Sequence, residues 1–489
     1  MQRINIKKLI YLLFVIIILL YFFLPTHNSS LDAYAYASSV KYGELLFKPH
    51  HLLYNAFLYI VKLFIETIGF SIDVLRMSKI VNALFTLFNL LIFYKILKQL
   101  LKSDIEILTL LAIAAFSFSS LRFGTENETY ILPITFSLLA SLFFLYYLRK
   151  KLLYTLFLSG LFASVAALFH QIHFFWWFGL FIGLFLFVKR FKPVFTYTIP
   201  ALIVPFIYFI VIVNYNNQAL TYENVIHFVF YDFYTGTAKS EFSLYNIFFI
   251  IVSSIRTFFQ VHPIILELIK KSYIFLIPIF VFLYFSFKVV KSILNKQLIS
   301  KRLNLFSVFV KTHLIIFSLH FLFAFYAVGN IEFLVMMPYL LFLSIFYYFK
   351  INSQVLIWLS VVLFVWNVSF GLFPNNKYNI NNHDELIDFI TKNDGYFVVK
   401  EGVVINQYWY KTGVDNYKKI IPINKEERVQ SILKNEAFFY TDIIDKPKVF
   451  DRAQILEKTT IDLTIYKKEK ILTYNTIYGD SKLYRIQLK

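Results

Sequence analysis

Cysteine is absent from all 489 residues. This excludes disulfides, thiolate metal sites and a cysteine nucleophile, and it leaves the compartment open. Charge is also scarce: 16% of residues are charged against 58% hydrophobic, with a mean hydropathy of +0.64. A soluble domain is excluded on those numbers, and a polytopic membrane protein is implied. Acids are the minority, 29 against 48 basic residues. In a membrane chain the resulting excess of +19 reflects lysines on the cytoplasmic side, and nucleic acid is not implied. No repeat of fixed period occurs, and no HExxH spacing. Arg3, Lys7 and Lys8 precede the first apolar run, but no small-residue cleavage pattern follows it. The run therefore reads as a retained anchor.

What is present is a series of apolar stretches. Eleven are expected to span the bilayer: 9–24, 79–97, 105–121, 130–148, 152–169, 174–189, 195–213, 273–290, 306–328, 333–349 and 354–373. Two more, 52–70 and 244–262, carry Lys62, Glu66 and Arg256. Reading them as interfacial helices, within outer segments near 33–70 and 220–262, places eighteen basic residues on short inner connections. These run from Arg3 through Lys98, Arg149, Lys189 and Lys301 to Lys350. Counting 52–70 as a span would turn several of those connections outward, against the positive-inside rule. The expected protein is a multi-pass plasma- or inner-membrane protein with a cytoplasmic N-terminus. After Phe373 the run FPNNKYNINNHDE marks a break. Residues 1–373 thus read as a membrane domain, and 374–489 as a small α/β domain outside the membrane. In that domain HDELIDFITKN reads as a helix, GYFVVKEGVV as a strand, Glu426–Lys434 as a helix, and AFFYTDI and SKLYRIQL as strands. It has no GxGxxG after a strand, no P-loop and no metal-ligand spacing.

This topology gathers the polar residues at the outer end. Asp32 follows the first span. A carboxylate there can serve as a general base or hold a metal, or it can merely cap the helix that follows. Glu126 and Glu128, with Arg122 close by, occupy a short turn between spans. They face Asp32 across the bundle mouth, or they belong to a solvated turn capped by Thr129. Lys48 precedes Pro49 and suits a phosphate as a hydrated point charge, or snorkels to the interface. His50, His51, His170 and His173 can bind phosphate, bind metal or shuttle protons, or fill an aromatic interface. Glu332 can bind sugar hydroxyls or mark the membrane boundary. The segment YDFYTGTAKSEF lies in the long outer loop 214–272. Polar groups meeting at one depth of a bundle form a site hypothesis by default.

The order of these features resembles a known family. An anchor leads to Asp32, then to KPHHLLYNAFLYIVKLF from Lys48, RMSKIVNALFTLF from Arg76, GTENETYILPITF from Gly124 and SGLFASVAALFHQ from Ser159. Over roughly the first 190 residues this resembles the GT-C glycosyltransferases of the protein mannosyltransferase and aminoarabinose transferase type. Beyond that, the likeness is of architecture. The resemblance implies a GT-C bundle in which Asp32 is the catalytic outer-loop acid. Glu128, with Glu126 beside it, holds the second acidic position, and Lys48 contacts the carrier phosphate. The chain departs from the pattern at Pro49-His50, where bacterial relatives carry Pro-Pro, and at His170-Gln171, where they often carry Lys-Gly.

The implied reaction moves a sugar from a polyprenyl-phosphate donor to a lipid, glycan or protein acceptor, with inversion. Asp32 takes or orients the acceptor proton. Lys48, Arg122 or the histidines balance the departing phosphate. A divalent metal is left open. The rival readings are a transporter or flippase of lipid-linked glycans, and a glycan polymerase or ligase. Against transport, no pair of broken helices appears and the polar residues gather away from the midplane.

Overall fold

The computed structural model describes residues 6–235, 243–262, 264–294, 299–301, 307–380, 383–415, 418–443 and 466–488. Among them, eight helices are long and apolar enough to cross a membrane. They coincide with eight of the eleven expected stretches, beginning with α1 (Ile6–Phe23) and ending with Ser353–Lys377. The expected stretch 105–121 is a bent pair, α5 (Asp104–Phe116) and α6 (Phe118–Gly124), which meet at 56°. Ser117 breaks the helix at φ −59°, ψ 142°. The carbonyl of Phe116 near the break accepts from Asn367 Nδ2 at 2.7 Å, which lets a non-helical residue sit inside the bundle. The other two stretches form shorter helices than a full span: α8 (Leu153–Phe169), of 17 residues, and the broken segment Ile331–Leu343. Length and composition therefore support eight spans, or nine with the bent pair, where eleven were expected.

The short helices between the spans carry the polar residues. They are α2 (Leu31–Tyr42) and α3 (Tyr54–Thr67), followed by α4 (Val74–Leu100) and, after the bent pair, α7 (Ile131–Lys150). Expected to lie on the membrane, α2 is instead buried along Ala33–Val40. Its Ala and Ser residues allow close approach on both sides. Helix Val403–Thr412 of the C-terminal domain covers it there, with Asn406 Nδ2 donating to the Leu31 carbonyl at 2.9 Å. Helix α3 is amphipathic, with Tyr54, Asn55, Ala56 and Leu58 buried and Ile60, Leu63 and Phe64 exposed. At Gly160 in α8 an added Cβ would lie 2.1 Å from the Tyr197 carbonyl oxygen, so only glycine permits that crossing.

The expected inner connections meet one another. Arg149 donates to Gln99, Lys98 pairs with Asp104 at 2.9 Å, and strand Ile299–Lys301 pairs antiparallel with Phe349–Ile351. The acidic turn, Lys48 and Glu332 gather elsewhere, around α2.

The C-terminal part is a five-stranded sheet in the order Ile420–Pro422, Phe397–Val399, Phe438–Thr441, Gly479–Leu488, Tyr466–Thr476. The first three strands pair in parallel and the last two antiparallel. Alternation sorts the side chains. Phe397 and Val399 pack with Leu386, Ile387, Ile390 and Val404. Val398 packs on the other face with Val429 and Ile432. The expected helices at 384–392 and 426–434 and the strands in AFFYTDI and SKLYRIQL are present. GYFVVKEGVV divides into a three-residue strand and the start of helix Val403–Thr412, because Gly402 and the polar Lys400-Glu401 interrupt the apolar run.

Candidate active site at the mouth of the bundle

Helix α2 starts on Ser30, not on Asp32. Ser30 has extended backbone, φ −70° and ψ 167°, and its Oγ accepts from the Ala33 amide at 3.0 Å. Asp32 therefore stands in the first turn, free of the capping role. At the far end Gly43, at φ +74°, ends the helix in the left-handed conformation that glycine adopts without strain. Tyr36 is one turn beyond Asp32 on the same face.

The acidic turn is not solvated. Glu126 is 1% exposed and Glu128 3%. Asn82 Nδ2 donates to the carbonyls of both, at 2.6 and 2.8 Å. Asn127 accepts from Tyr54 Oη at 2.8 Å and donates to the Ala33 carbonyl at 2.7 Å. The turn is thereby fastened to α2, α3 and α4. Thr129 makes no cap, and α7 begins without a side-chain cap.

The two glutamates have different surroundings. Glu126 accepts from Arg122 Nη1 at 2.9 Å and from the Ser30 amide at 3.3 Å, with Lys79 Nζ at 4.0 Å. Arg122 also reaches the Asn28 carbonyl at 3.5 Å. Arg122 is thus fastened to the framework through Glu126 and the Asn28 carbonyl. Glu128 accepts from Ser30 Oγ at 2.5 Å. Burial first, and then the charges of Glu332 and Asp32, hold its carboxyl well above the ordinary range. Asp32 is also raised by burial, while Lys48 and His50 pull it back down.

Close to Asp32 lies a cationic and imidazole group. Lys48 has the extended backbone that a residue before proline requires, φ −89° and ψ 137°. Its Nζ sits 5.1 Å from the Tyr36 ring centroid. Burial lowers the Lys48 ammonium, and Asp32 and Asp232 raise it. His50, His51 and His170 form a triangle with ring centroids 4.2, 6.4 and 6.4 Å apart. His51 is 1% exposed, and neither of its ring nitrogens has a hydrogen-bond partner. Burial, then the neighbouring His50, Lys48 and His170, hold it well below the usual histidine range. His170 is pushed down to about 3, chiefly by burial. Its Nδ1 accepts from the Ile172 amide at 3.3 Å, which leaves Nε2 as the protonated nitrogen of the neutral ring.

Three further candidates, Gln171, His173 and Glu332, have these surroundings. Gln171 ties the framework together. Its Nε2 lies within 2.9–3.1 Å of the Pro49 carbonyl, Tyr208 Oη and the Val229 carbonyl. His173 turns into the bundle, with Ser137 Oγ at 2.7 Å from Nδ1 and the ring of His320 at 5.8 Å. Glu332 accepts from Tyr130 Oη and Asn330 Nδ2, both at 3.0 Å. Leu52 and Ala56 are buried against the protein. Sequence reasoning missed Asp232, 2.9 Å from His50 Nδ1. Its segment was marked, but nothing in one dimension pairs it with a residue 182 positions away. The rest of that segment, 236–242, lies outside the described residues. Among the described residues no three His, Asp or Glu side chains are placed to hold a metal ion.

No protein-family model matches the chain, and no curated protein matches it. Two solved structures are similar in shape. ArnT from Cupriavidus metallidurans, bound to undecaprenyl phosphate, aligns over 98% of both chains at 9% identity and a TM-score of 0.48. The Archaeoglobus fulgidus oligosaccharyltransferase, in complex with zinc and sulfate, aligns over 88% of this chain and 68% of its own at 11% identity and a TM-score of 0.37.

Proposed function

We propose that this chain is a membrane glycosyltransferase of the GT-C type that moves a sugar from a polyprenyl-phosphate donor to an acceptor, with inversion at the anomeric carbon. The observation that carries the reading is the meeting of two raised carboxyls, Asp32 half-buried and Glu128 buried, with the half-buried cation of Lys48. Asp32 interacts with Glu128 and with Lys48 and His50, and His50 belongs to the His50–His51–His170 triangle. Direct displacement needs both a carboxyl and a cation. Asp32 takes the acceptor proton while the acceptor oxygen or nitrogen bonds to the anomeric carbon. The bond from that carbon to the phosphate oxygen breaks, and its electron pair leaves with the phosphate. Negative charge grows on the leaving group, where Lys48 and donating imidazoles stabilise it. Glu128 holds Ser30, and with it the first turn of α2. Glu126 and Arg122 neutralise one another and set the turn.

The site is taken to face the extracytoplasmic side, with the N-terminus cytoplasmic, because the basic connections lie on the other set of loops. The test is to incubate the purified chain with labelled polyprenyl-phosphate sugars and to assign the anomeric configuration of any product. Consumption of one donor with inversion is expected. No consumption of any donor, or a product of retained configuration, would overturn the reading.

A further inference from the structure

A second polar cavity, of about 260 Å³, opens at the seam between the loop after α1 and the C-terminal domain. His27, Lys377, Tyr378, Asp384, Glu385 and Tyr474 line it. None of them belongs to the mouth described above. We infer that this cavity binds one uncharged, polyhydroxylated monosaccharide unit of the acceptor; the assignment to the acceptor rests on the proposed glycosyl transfer.

Size comes first. Drug-sized pockets start near about 300 Å³, so this one suits a single ring rather than a chain or a lipid tail. Chemistry comes second. Carboxylates accept from hydroxyls and an ammonium donates to them, so Asp384, Glu385 and Lys377 together match a ring that carries both functions. The two carboxylates also repel phosphate, which separates this cavity from the cationic group at the mouth. Tyr378 supplies a partly exposed ring, with Lys271 Nζ 4.9 Å from its centroid, while Tyr474 is a buried part of the wall.

The walls are built before any ligand arrives. Asn28 donates to the carbonyls of Asn375 and Tyr378, both at 2.8 Å, and accepts from the Ile380 amide at 2.7 Å. Asn379 donates to the Asn475 carbonyl at 3.0 Å. Gln407 Nε2 donates to Asp384 Oδ1 at 2.7 Å. A pre-formed wall spares a ligand the cost of ordering it.

Position comes third. The Asn28 carbonyl that helps to form this seam accepts from Arg122, which holds Glu126, which accepts from the Ser30 amide. Asp32 follows two residues later. A sugar held here would bring the remainder of an acceptor molecule towards the carboxyls.

Saturation-transfer NMR on the full chain in detergent tests this, with millimolar methyl glucoside, methyl galactoside and methyl mannoside as probes. Saturation should reach protons of at least one sugar in the wild type and in Asp32→Asn. It should fall at least fivefold in the Lys377→Ala/Glu385→Ala double variant, whose substitutions are at exposed side chains, compared at an unchanged melting temperature. No transfer to any of the three sugars, or undiminished transfer in the double variant, would overturn the inference. Sugar binding lost in the double variant, in a chain that consumes no lipid-linked donor, would uphold the cavity and strike the proposed reaction instead.

Discussion

Asp32, Glu126 and Glu128 are three acids within a few residues of one another in space, and their neighbours give them different work. Glu126 has a guanidinium at 2.9 Å and an ammonium at 4.0 Å, so its charge is balanced before any substrate arrives. Replacing it by Gln leaves Arg122 and Lys79 without their carboxylate. Breaking one side of a buried pair costs about 3 kcal/mol, so Glu126→Gln is expected to lower the melting temperature clearly, which a thermal unfolding scan would read. Asp32 is different: burial raises it, and Lys48 and His50 lower it. A base must be ionised to act, so turnover should fall as pH drops through a value above the ordinary carboxyl of about 3.9. Lys48→Ala removes a cation that lowers that value. The acidic limb of kcat/KM should therefore move to higher pH, and donor KM should rise. A pH–rate profile over a range of donor concentrations reads both effects. An unmoved limb with an unchanged KM would remove Lys48 from the site.

At the scale of the element, α2 shows where local pattern stops being informative. Its apolar and aromatic spacing reads as an amphipathic helix on a membrane surface. Its real partner is helix Val403–Thr412, some 370 positions later, and no local signal names a partner so distant. Tyr410 joins the two regions. Its Oη donates to Asp73 Oδ2 at 2.6 Å and accepts from the Leu75 amide at 3.2 Å, while its carbonyl accepts from Lys41 Nζ and Tyr42 Oη. Tyr410→Phe keeps the ring and loses the hydroxyl bonds, at a cost of about 1 kcal/mol. A modest fall in melting temperature is expected, with kcat little changed, because the bonds from α2 to the Tyr410 carbonyl are kept. The choice left open at Asp32 has a related cause. Ser30 and Asp32 are both good caps by residue type, and only the extended backbone at Ser30 selects between them.

For the whole molecule, the apolar runs were legible because about 20 apolar residues have few fates other than a bilayer. Eight of the expected spans stand as single helices. The others bend or fall short where Ser117 and the Ile331–Leu343 segment interrupt them. The candidates Asp32, Lys48 and Glu128 were named from the resemblance, and the fold brings their charges within reach of one another. Arg122 and Gln171 were named as ligand contacts, and the fold also gives them bonds to the framework that no local pattern announces. Residue type says what a side chain can bond, and only the fold says what it does bond. Orientation has its own test. With no native cysteine to mask the signal, an impermeant thiol reagent on intact cells should label Cys introduced at Lys392 and miss Cys at Lys102. The reverse pattern would place the site on the cytoplasmic side.

The most direct measurement is the single-turnover rate of sugar transfer from the labelled polyprenyl-phosphate donor, compared between the wild type and Asp32→Asn at matched melting temperatures. Loss of a general base removes on the order of 10²–10⁴ in rate, and a fall of that size with donor binding retained is expected. Wild-type transfer by folded Asp32→Asn would contradict the assignment of Asp32 as the base.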